Sequence, residues 1–313
     1  MLDTYSNGPV SGLSIGAVER DTGFSKDILR VWEKRYRFPT PGRDQFGERV
    51  YSAAEVQKLR ALKRLLDLGY RPGKIVELSL EELGALAGEQ GNCQTCPEQL
   101  QPLLDLIKTH RVDALRLQLG QTLMSQGLRP FLLDTIVPLN RAVGDLWARG
   151  EFQIFEEHLY TEALQAILHG ALNTMQRAGA APRVLLTTLP GEQHGLGLLM
   201  AQGLLAVEGC ACVSLGTQTP VQEIVLAAGS QDADVVALSF SVAFPAAQVW
   251  DALEELRRRL PGNIALWAGG GNAALARRNT PNVTVVGELD AISQAITAWR
   301  TSRTAASSEP KGA

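Results

Sequence analysis

Residues 181–302 alternate short apolar runs with helical patterns, and this alternation limits the fold more than any other feature of the chain. The apolar runs predict strands near 183–188, 211–215, 234–238, 264–268 and 283–286. The residues after them predict helices near 195–207, 220–229, 245–260, 273–278 and 288–301. Strands that alternate with helices form a parallel sheet, so we expect a doubly wound, flavodoxin-like α/β domain over 181–302.

Glycine-rich turns follow two of the predicted strands. Glu192-Gln193-His194-Gly195-Leu196-Gly197 follows the first, and Gly269-Gly270-Gly271 follows the fourth. Ligands of open α/β sheets bind at the carboxyl ends of the strands, so the first turn places a histidine at the ligand-binding edge. The pattern Glu-x-His-x-x-Gly is weak evidence alone, because a flavodoxin-like domain with a surface histidine would also contain it.

The charge of the chain is unevenly distributed. The formal net charge is −3, yet residues 12–80 hold 14 Lys and Arg against 9 Asp and Glu, a net charge of +5. A basic first domain on an acidic body indicates a polyanion partner such as nucleic acid. No apolar run reaches the roughly 18 residues of a membrane span, and the first 20 residues lack a signal-peptide core. We therefore expect a cytoplasmic protein without a membrane partner.

Residues 12–80 have the pattern of a helix-turn-helix domain. Ser14 and Ser25 are suited to cap two short helices that a glycine-containing turn separates. The second helix of such a pair enters the major groove of DNA. Residues 38–43 contain two prolines and cannot be helical, and residues 47–51 predict a small hairpin.

This stretch resembles the DNA-binding domain of the MerR family. The matching segments are Leu29-Arg30-Val31-Trp32-Glu33-Lys34-Arg35-Tyr36, Pro41-Gly42-Arg43 and Gly47-Glu48-Arg49-Val50-Tyr51-Ser52. The resemblance implies that a pair of heads binds double-stranded operator DNA. The residues expected at the DNA lie on the second helix and the hairpin, and they are Arg30, Lys34, Arg35, Arg43, Arg49 and Tyr51. Trp32 is expected in the core, and for Tyr51 a phosphate contact and a place under the hairpin both stay open.

The middle of the chain predicts a linker and a helical bundle. Residues 81–96 are expected to form the linker, in which Cys93 and Cys96 have no second Cys/His pair at metal spacing. Residues 97–180 predict a four-helix bundle, with Pro138 kinking the third helix. Its helices are expected near 97–109, 112–126, 129–149 and 151–178. Residues 303–313 are expected to be disordered.

Two long spacings add weight to the stretch around His194. Gly197 is followed by 41 residues, then Ser239-Phe240-Ser241, then 27 residues and Gly269-Gly270. This resembles the cobalamin-binding pattern Asp-x-His-x-x-Gly, Ser-x-Leu, Gly-Gly, with Glu192 in place of Asp and Ser241 in place of Leu.

The resemblance implies a role for each of these residues. His194 would be the axial ligand of cobalt, and Glu192 would hydrogen-bond the other imidazole nitrogen. Ser239 would hydrogen-bond the nucleotide tail of the corrinoid, and Ser241 would change the polarity near that tail. The three glycines Gly197, Gly269 and Gly270 would leave room for the tail.

A second motif lies in the predicted bundle. Trp147 is followed by nine residues and then by Glu157-His158. This resembles the Trp-x9-Glu-His motif of CarH-like photoreceptor repressors, in which the bundle caps the upper face of the corrin. The resemblance implies that Trp147 packs against an upper ligand such as 5′-deoxyadenosyl, with Glu157 and His158 nearby.

One residue departs from the light-sensing members of that family. Ala148 stands where those proteins have a histidine that binds cobalt after photolysis. Alanine has no lone pair to offer. Three readings follow: His158 or another group substitutes, the light response differs, or another tetrapyrrole occupies the cleft.

The sequence thus predicts a multidomain chain with a winged helix-turn-helix head, a four-helix bundle and an α/β sheet. The predicted function is a DNA-binding repressor, not an enzyme, that binds cobalamin, most readily adenosylcobalamin, and associates with itself as a dimer or tetramer. A corrinoid-dependent methyl-transfer or carrier module is one alternative, which the basic head disfavours. A second alternative is a regulator that senses another tetrapyrrole in the same cleft. A third is a ligand-independent repressor that uses the sheet for oligomerisation.

Overall fold

The structure is a computed structural model that describes residues 12–67, 70–90, 98–148, 151–175, 181–278 and 280–308. The described residues form two compact units. One unit holds the residues up to Gln99 together with Arg141–Glu157, and the other holds Leu100–Asn140 and the residues from His158 onwards. Within the described ranges, no helix is both long and apolar enough to cross a membrane.

The first unit begins with the predicted head. Its elements are β1 (Leu13–Ser14), α1 (Ile15–Thr22), α2 (Lys26–Tyr36), β2 (Gly42–Arg43), β3 (Arg49–Tyr51), α3 (Ala53–Asp67), α4 (Pro72–Ile75) and α5 (Leu80–Gln90). Ser14 and Ser25 cap α1 and α2 by accepting hydrogen bonds from the backbone, and Gly23 ends α1 with a φ of 72°. The short turn between the two helices therefore follows from local sequence.

The head has its own apolar core beneath a small antiparallel sheet in the order β1-β3-β2. Trp32 is 6% exposed and lies between Phe24 and Tyr36, with ring centroids 4.9 and 5.6 Å away. These aromatic contacts confirm the prediction that Trp32 belongs to the core. The sheet forms the wing beside α2.

The first part of the predicted linker is helical. Ser79 and Glu82 cap α5 reciprocally: the Ser79 backbone donates to Glu82 Oε2 at 2.7 Å, and the Glu82 backbone donates to Ser79 Oγ at 3.2 Å. Leu83 is fully buried in the core of the head. A Ser-x-x-Glu capping box was the sequence signal for this helix, and the linker prediction overlooked it. Residues 91–97, which include Cys93 and Cys96, lie outside the described residues.

The bundle helices are present near their predicted positions. They are a 3-10 helix at Glu98–Leu100, α6 (Gln101–Lys108), α7 (Val112–Gln126), α8 (Leu128–Pro130), a π-helical segment at Phe131–Ile136, α9 (Val137–Ala148) and α10 (Ile154–Asn173). Helices α9 and α10 each contribute residues to both units. This division differs from the predicted one, in which 97–180 form a single domain.

The helix is distorted just before Pro138, as a π-helical segment at Phe131–Ile136, whereas the kink predicted at Pro138 stays a prediction. The π-helical segment ends at Val137, whose backbone N–H donates to the carbonyl of Leu132, five residues earlier. Proline has no N–H, and its ring collides with the carbonyl four residues before it in a regular helix. A widened turn relieves that collision and lets the helix continue through Pro138.

The second unit contains the predicted parallel sheet, in the order β5-β4-β6-β7-β8. Its strands are β4 (Arg183–Thr187), β5 (Ala211–Ser214), β6 (Val235–Ser239), β7 (Ala265–Gly269) and β8 (Val283–Val286). Its helices are α11 (Leu196–Val207), α12 (Val221–Ser230), α13 (Ala246–Arg259), α14 (Ala273–Arg277) and α15 (Ile292–Ser308). The strand order reverses between β4 and β6, so the turns after these strands flank the ligand crevice of a doubly wound fold. The flavodoxin-like prediction is confirmed.

Polar contacts join the bundle residues of this unit to helices α11 and α15, which belong to the sheet domain. Arg129 donates to Glu208 Oε1 at 3.2 Å and to Ser293 Oγ at 2.7 Å. Gly203 of α11 permits a close approach, because a Cβ there would lie 2.9 Å from a methyl group of Leu132.

The last helix extends further than the sequence predicted. Helix α15 runs to Ser308, and Arg303 pairs with Asp234 at 3.1 Å. The disordered tail was predicted to begin at residue 303, but the chain is helical as far as Ser308. Residues 309–313 lie outside the described residues.

Candidate functional site

His194 lies in the turn between β4 and α11, beside the Glu192 carboxylate. The side chain of His194 is 64% exposed, whereas that of Glu192 is 1% exposed. Glu192 Oε1 lies 2.7 Å from His194 Nδ1 and also accepts a hydrogen bond from the His194 backbone at 2.9 Å. Because Nδ1 faces the carboxylate, Nε2 is the ring nitrogen turned away from it. The sequence prediction for this pair is thereby matched in geometry.

The carboxylate of Glu192 is held on both oxygens. Its Oε2 accepts a hydrogen bond from the backbone N–H of Ser241, at 2.7 Å. Burial opposes ionisation of this carboxyl, but hydrogen bonds from His194 and Ser241 outweigh burial and hold the pKa of Glu192 below its usual value. Glu192 is therefore a fixed anion that orients the imidazole.

Ser241 acts on the histidine side of the site. Its Oγ lies 3.2 Å from His194 Nδ1. The sequence assigned it to the polarity near the nucleotide tail, whereas the structure directs its backbone to Glu192 and its hydroxyl to His194. A leucine at this position would keep the backbone contact and lose the hydroxyl.

Asn272 and Thr188 support the site, and the sequence analysis missed both. Asn272 is 4% exposed, and its amide donates to the carbonyls of Ser241 at 2.9 Å and Phe244 at 2.8 Å. Thr188 is fully buried and donates to the carbonyl of Glu192 at 2.7 Å. An asparagine just before a helix predicts an N-cap, and Asn272 does cap α14. Its hydrogen bonds to the neighbouring turn are tertiary contacts, which the sequence pattern does not reveal.

The three motif glycines differ in what surrounds them. A Cβ on Gly269 would lie 2.8 Å from the carbonyl oxygen of Val286, and one on Gly270, where φ is +110°, would collide with the Phe240 backbone. These two positions need glycine for the packing of the sheet itself. A Cβ on Gly197 would lie 3.6 Å from Ser239 Oγ, an ordinary contact. Of these three glycines, only Gly197 has room for a Cβ in this structure. Glycine at 197 is therefore consistent with space kept for a ligand beside Ser239.

The three parts of the motif meet at one edge of the sheet. Ser239 is paired with Gly269 across β6 and β7, and the Phe240 N–H donates to the Gly269 carbonyl at 2.9 Å. Within the described residues, no group of three or more His, Cys, Asp or Glu could hold a metal ion. A corrinoid needs one axial protein ligand because the macrocycle supplies the equatorial nitrogens, so an exposed, carboxylate-bound histidine fits this group. The individual ligand contacts stay predictions.

The residues of the bundle motif lie at the end of α9 and the start of α10. Trp147 is half-buried, and its ring centroid lies 5.1 Å from Cζ of Arg60 on α3, in the same unit. Glu157 is half-buried and His158 is exposed. Ala148 ends α9, and its side chain lies outside the described part of the structure. Contacts of Trp147, Glu157 and His158 with a corrinoid stay predictions.

The head presents most of the predicted DNA-contacting side chains to solvent. Arg30, Lys34 and Arg35 are exposed on α2, and Arg30 pairs with Asp27 at 3.1 Å. Arg43 is exposed on the wing, where it donates to the carbonyl of Gly47 at 2.6 Å. This arrangement suits a helix in the major groove with a wing along the phosphates.

Two residues of the wing are turned towards the protein and away from solvent. Arg49 is half-buried and pairs with Glu33 of α2 at 2.8 Å, a hydrogen bond that raises the pKa of Arg49. Tyr51 is fully buried, and burial raises its pKa. Of the two placements left open for Tyr51, the structure has the one under the wing. The inclusion of Tyr51 among the DNA-contacting residues is therefore corrected, because its hydroxyl does not reach the surface.

Comparisons with known proteins match the head and the helical bundle to family profiles, and neither profile extends over the sheet domain with His194. Residues 13–82 match the family profile described as "MerR HTH family regulatory protein", and residues 99–169 match "B12 binding domain". These matches support a DNA-binding regulator that binds cobalamin, with a MerR-type region at 13–82 and a region similar to B12-binding domains at 99–169.

Two relatives align with this chain along most of their length. HTH-type transcriptional repressor CarH of Myxococcus xanthus is 29% identical over 262 residues, which cover 80% of this chain and 86% of CarH. HTH-type transcriptional repressor CarA of Myxococcus xanthus is 29% identical over 248 residues, covering 79% of this chain and 82% of CarA. The monomethylamine corrinoid protein of Methanosarcina barkeri covers 63% of this chain and 96% of its own, with a TM-score of 0.52 and 15% identity, and shows the fold alone.

Proposed function

We propose that this protein is a transcriptional repressor whose affinity for operator DNA changes when adenosylcobalamin binds against His194. The observation that supports the proposal most is the buried Glu192 carboxylate, which holds an exposed His194 ring through Nδ1 at 2.7 Å. Burying a carboxylate costs free energy unless the group is paired and hydrogen-bonded. A histidine with no ligand to bind would not need such a partner. The MerR-type head supplies the output on DNA.

The residues around His194 prepare the lower face of the site. When bound, cobalamin supplies a cobalt ion that accepts an imidazole nitrogen. Glu192 and Ser241 keep Nδ1 engaged, which directs Nε2 towards the ligand and fixes the ring before binding. Gly197 leaves space beside Ser239 for the nucleotide tail, and the Ser239 hydroxyl is placed to bond it.

The upper face is assigned to Trp147, Glu157 and His158 by the Trp-x9-Glu-His motif. With alanine at 148, that position cannot donate a nitrogen to cobalt. We propose that His158 would take the place of the histidine that is missing at position 148, and that a bound adenosylcobalamin would supply the sensitivity to light. Self-association as a dimer of heads, and as a tetramer with ligand, completes the proposal for a cytoplasmic repressor.

A titration with adenosylcobalamin in the dark tests the ligand. Visible spectra of the purified protein should shift on binding, and His194→Ala should weaken binding at least tenfold. His110→Ala, a histidine on another turn, serves as the matched control and should bind as wild type. An unchanged affinity in His194→Ala would overturn the axial assignment. Illumination of the complex followed by size-exclusion chromatography tests the response to light.

Binding to the upstream DNA of its own gene tests the output. A gel shift with and without adenosylcobalamin should give two different affinities. Arg43→Ala should lower the affinity for all sequences and reduce the salt slope by about one. Lys108→Ala removes the same charge from α6 and should leave DNA binding unchanged. Equal affinities in every ligand state would favour the ligand-independent alternative.

A further inference from the structure

The tryptophan of the bundle motif contacts the DNA-binding head. The Arg60 guanidinium on α3 lies over the Trp147 ring, with Cζ 5.1 Å from the ring centroid. A guanidinium over an indole face is attracted by the ring quadrupole, most strongly where water is excluded. Arg60 is 8% exposed and Trp147 is half-buried, so the contact is largely shielded from solvent.

Arg60 is itself fixed by a second partner in the head. Its Nη2 donates to Asp21 Oδ2 at 2.9 Å and to Asp21 Oδ1 at 3.0 Å, and its Nε lies 3.2 Å from Oδ2. The side chains of Arg60 and Asp21 are 9% and 5% exposed. Asp21 belongs to α1, the first helix of the helix-turn-helix pair, so Arg60 joins Trp147 to an element that positions α2.

Helix α9 connects this contact to the other unit. Trp147 lies near its end, and Asn140 lies two turns earlier on the same face. Asn140 accepts a hydrogen bond from Tyr160 at 2.5 Å and donates to Met200 Sδ on α11 at 3.3 Å. Helix α11 begins two residues after His194. Helix α9 is thus shared by the two units: Asn140 belongs to the unit with His194, and Trp147 belongs to the unit with the head.

We propose that Arg60 is a positioning residue that holds Trp147 on the head and thereby couples ligand binding to DNA affinity. This inference rests on the proposed function, in which Trp147 also faces the bound corrinoid. A ligand that moves Trp147 relative to Arg60 changes the hydrogen bonds between Arg60 and Asp21. The packing of α1 against α3 then changes with them. Coupling requires such a differential contact and is reciprocal between the two sites.

The coupling ratio tests the proposal. It is the dissociation constant for operator DNA without adenosylcobalamin divided by the constant with saturating adenosylcobalamin, measured in the dark. Asp21→Asn combined with Arg60→Gln removes the cation beneath the indole without leaving a buried charge unpaired. We expect the ratio of this double variant to move towards one by about three- to tenfold. Because coupling is reciprocal, its affinity for adenosylcobalamin is measured separately, and the ratio is taken at a concentration that saturates each variant.

A substitution of Trp147 tests the same contact from its other side. Trp147→Leu leaves the Asp21–Arg60 pair intact, so the head folds, and at saturating ligand the ratio should again move towards one. Combining Trp147→Leu with the Asp21/Arg60 change should add no further loss. Ile75→Val on α4 is the matched control: Ile75 is 1% exposed in the head core and lies on a different helix from Arg60, so its truncation weakens the head core at another place.

The outcomes separate the inference from the proposed function. A wild-type ratio of one, or no adenosylcobalamin binding, defeats the proposed function and the inference with it. A wild-type ratio different from one that persists in both the Asp21/Arg60 and the Trp147 variants overturns the inference alone. A ratio lost equally in Ile75→Val also overturns it, because general weakening of the head would then explain the effect.

Discussion

The Glu192 carboxylate lies 2.7 Å from His194 Nδ1 and is almost completely buried, while the histidine ring itself is mostly exposed. This pairing defines the site: a fixed anion beneath the sheet edge orients a ring that faces outward. Its second oxygen is held by Ser241, which belongs to the next turn along the edge. The orientation of His194 therefore depends on two turns that are far apart in sequence.

Glu192→Gln should weaken the binding of adenosylcobalamin by about 10- to 100-fold, as loss of an outer-sphere partner does at metal-binding histidines. An amide accepts on one side only, so it cannot satisfy both His194 and Ser241 as the carboxylate does. The measurement is a visible-absorbance titration in the dark. Glu223→Gln, on the exposed surface of α12, is the matched control. Equal affinities for the two variants would contradict the role of Glu192.

Acidification should remove stability that Glu192 provides. The pKa of Glu192 is lowered in the folded protein, so its contribution is complete above the unfolded value of about 4.3 and is lost as pH falls through the folded value. The difference in unfolding free energy between wild type and Glu192→Gln should be constant between pH 7 and about 5 and shrink below about 4.3. Urea unfolding followed by circular dichroism measures it. A difference that grows on acidification would contradict the lowered pKa.

Tyr51→Phe should leave DNA affinity unchanged and raise stability by about 1 kcal/mol. The Tyr51 hydroxyl is buried without a hydrogen-bond partner among the described residues, so its removal ends a desolvation cost. Thermal unfolding and a gel shift provide the two measurements. Tyr160→Phe is the control with the opposite sign, because that hydroxyl donates to Asn140 at 2.5 Å. A drop in DNA affinity for Tyr51→Phe would restore the phosphate contact that burial argues against.

Gly270→Ala should destabilise the cofactor domain by about 2 to 5 kcal/mol. Gly270 has a φ of +110°, and a Cβ there would collide with the Phe240 backbone. In contrast, Gly229→Ala, near the end of α12 with nothing within 4 Å of its Cβ, should be neutral or slightly stabilising. Differential scanning calorimetry of the two variants, without ligand, checks the comparison. Equal melting temperatures would show that the turn rearranges to accept a side chain.

Local patterns in the sequence determined the elements and their order. The apolar runs located all five strands of the sheet within one or two residues, and the caps Ser14 and Ser25 located the helices of the head. The motif spacing also brought Glu192, Ser239 and Gly269 to one edge, since parallel strands end on the same side. The helix α5 was overlooked although its Ser79–Glu82 box was visible.

Tertiary structure alone decided which partner each side chain found. The sequence could not place Tyr51 beneath the wing, pair Arg49 with Glu33, or direct Ser241 to His194, because these contacts join segments that no local pattern links. The sequence also could not predict the partner of Trp147. The motif predicts a contact with a ligand, whereas in the fold the Trp147 ring contacts Arg60. Periodicity reports the face a residue occupies, whereas its neighbours across that face depend on how separate elements pack. The sequence by itself therefore determined the head, the sheet and the position of His194 at the sheet edge, and packing determined what holds that histidine and what the tryptophan touches.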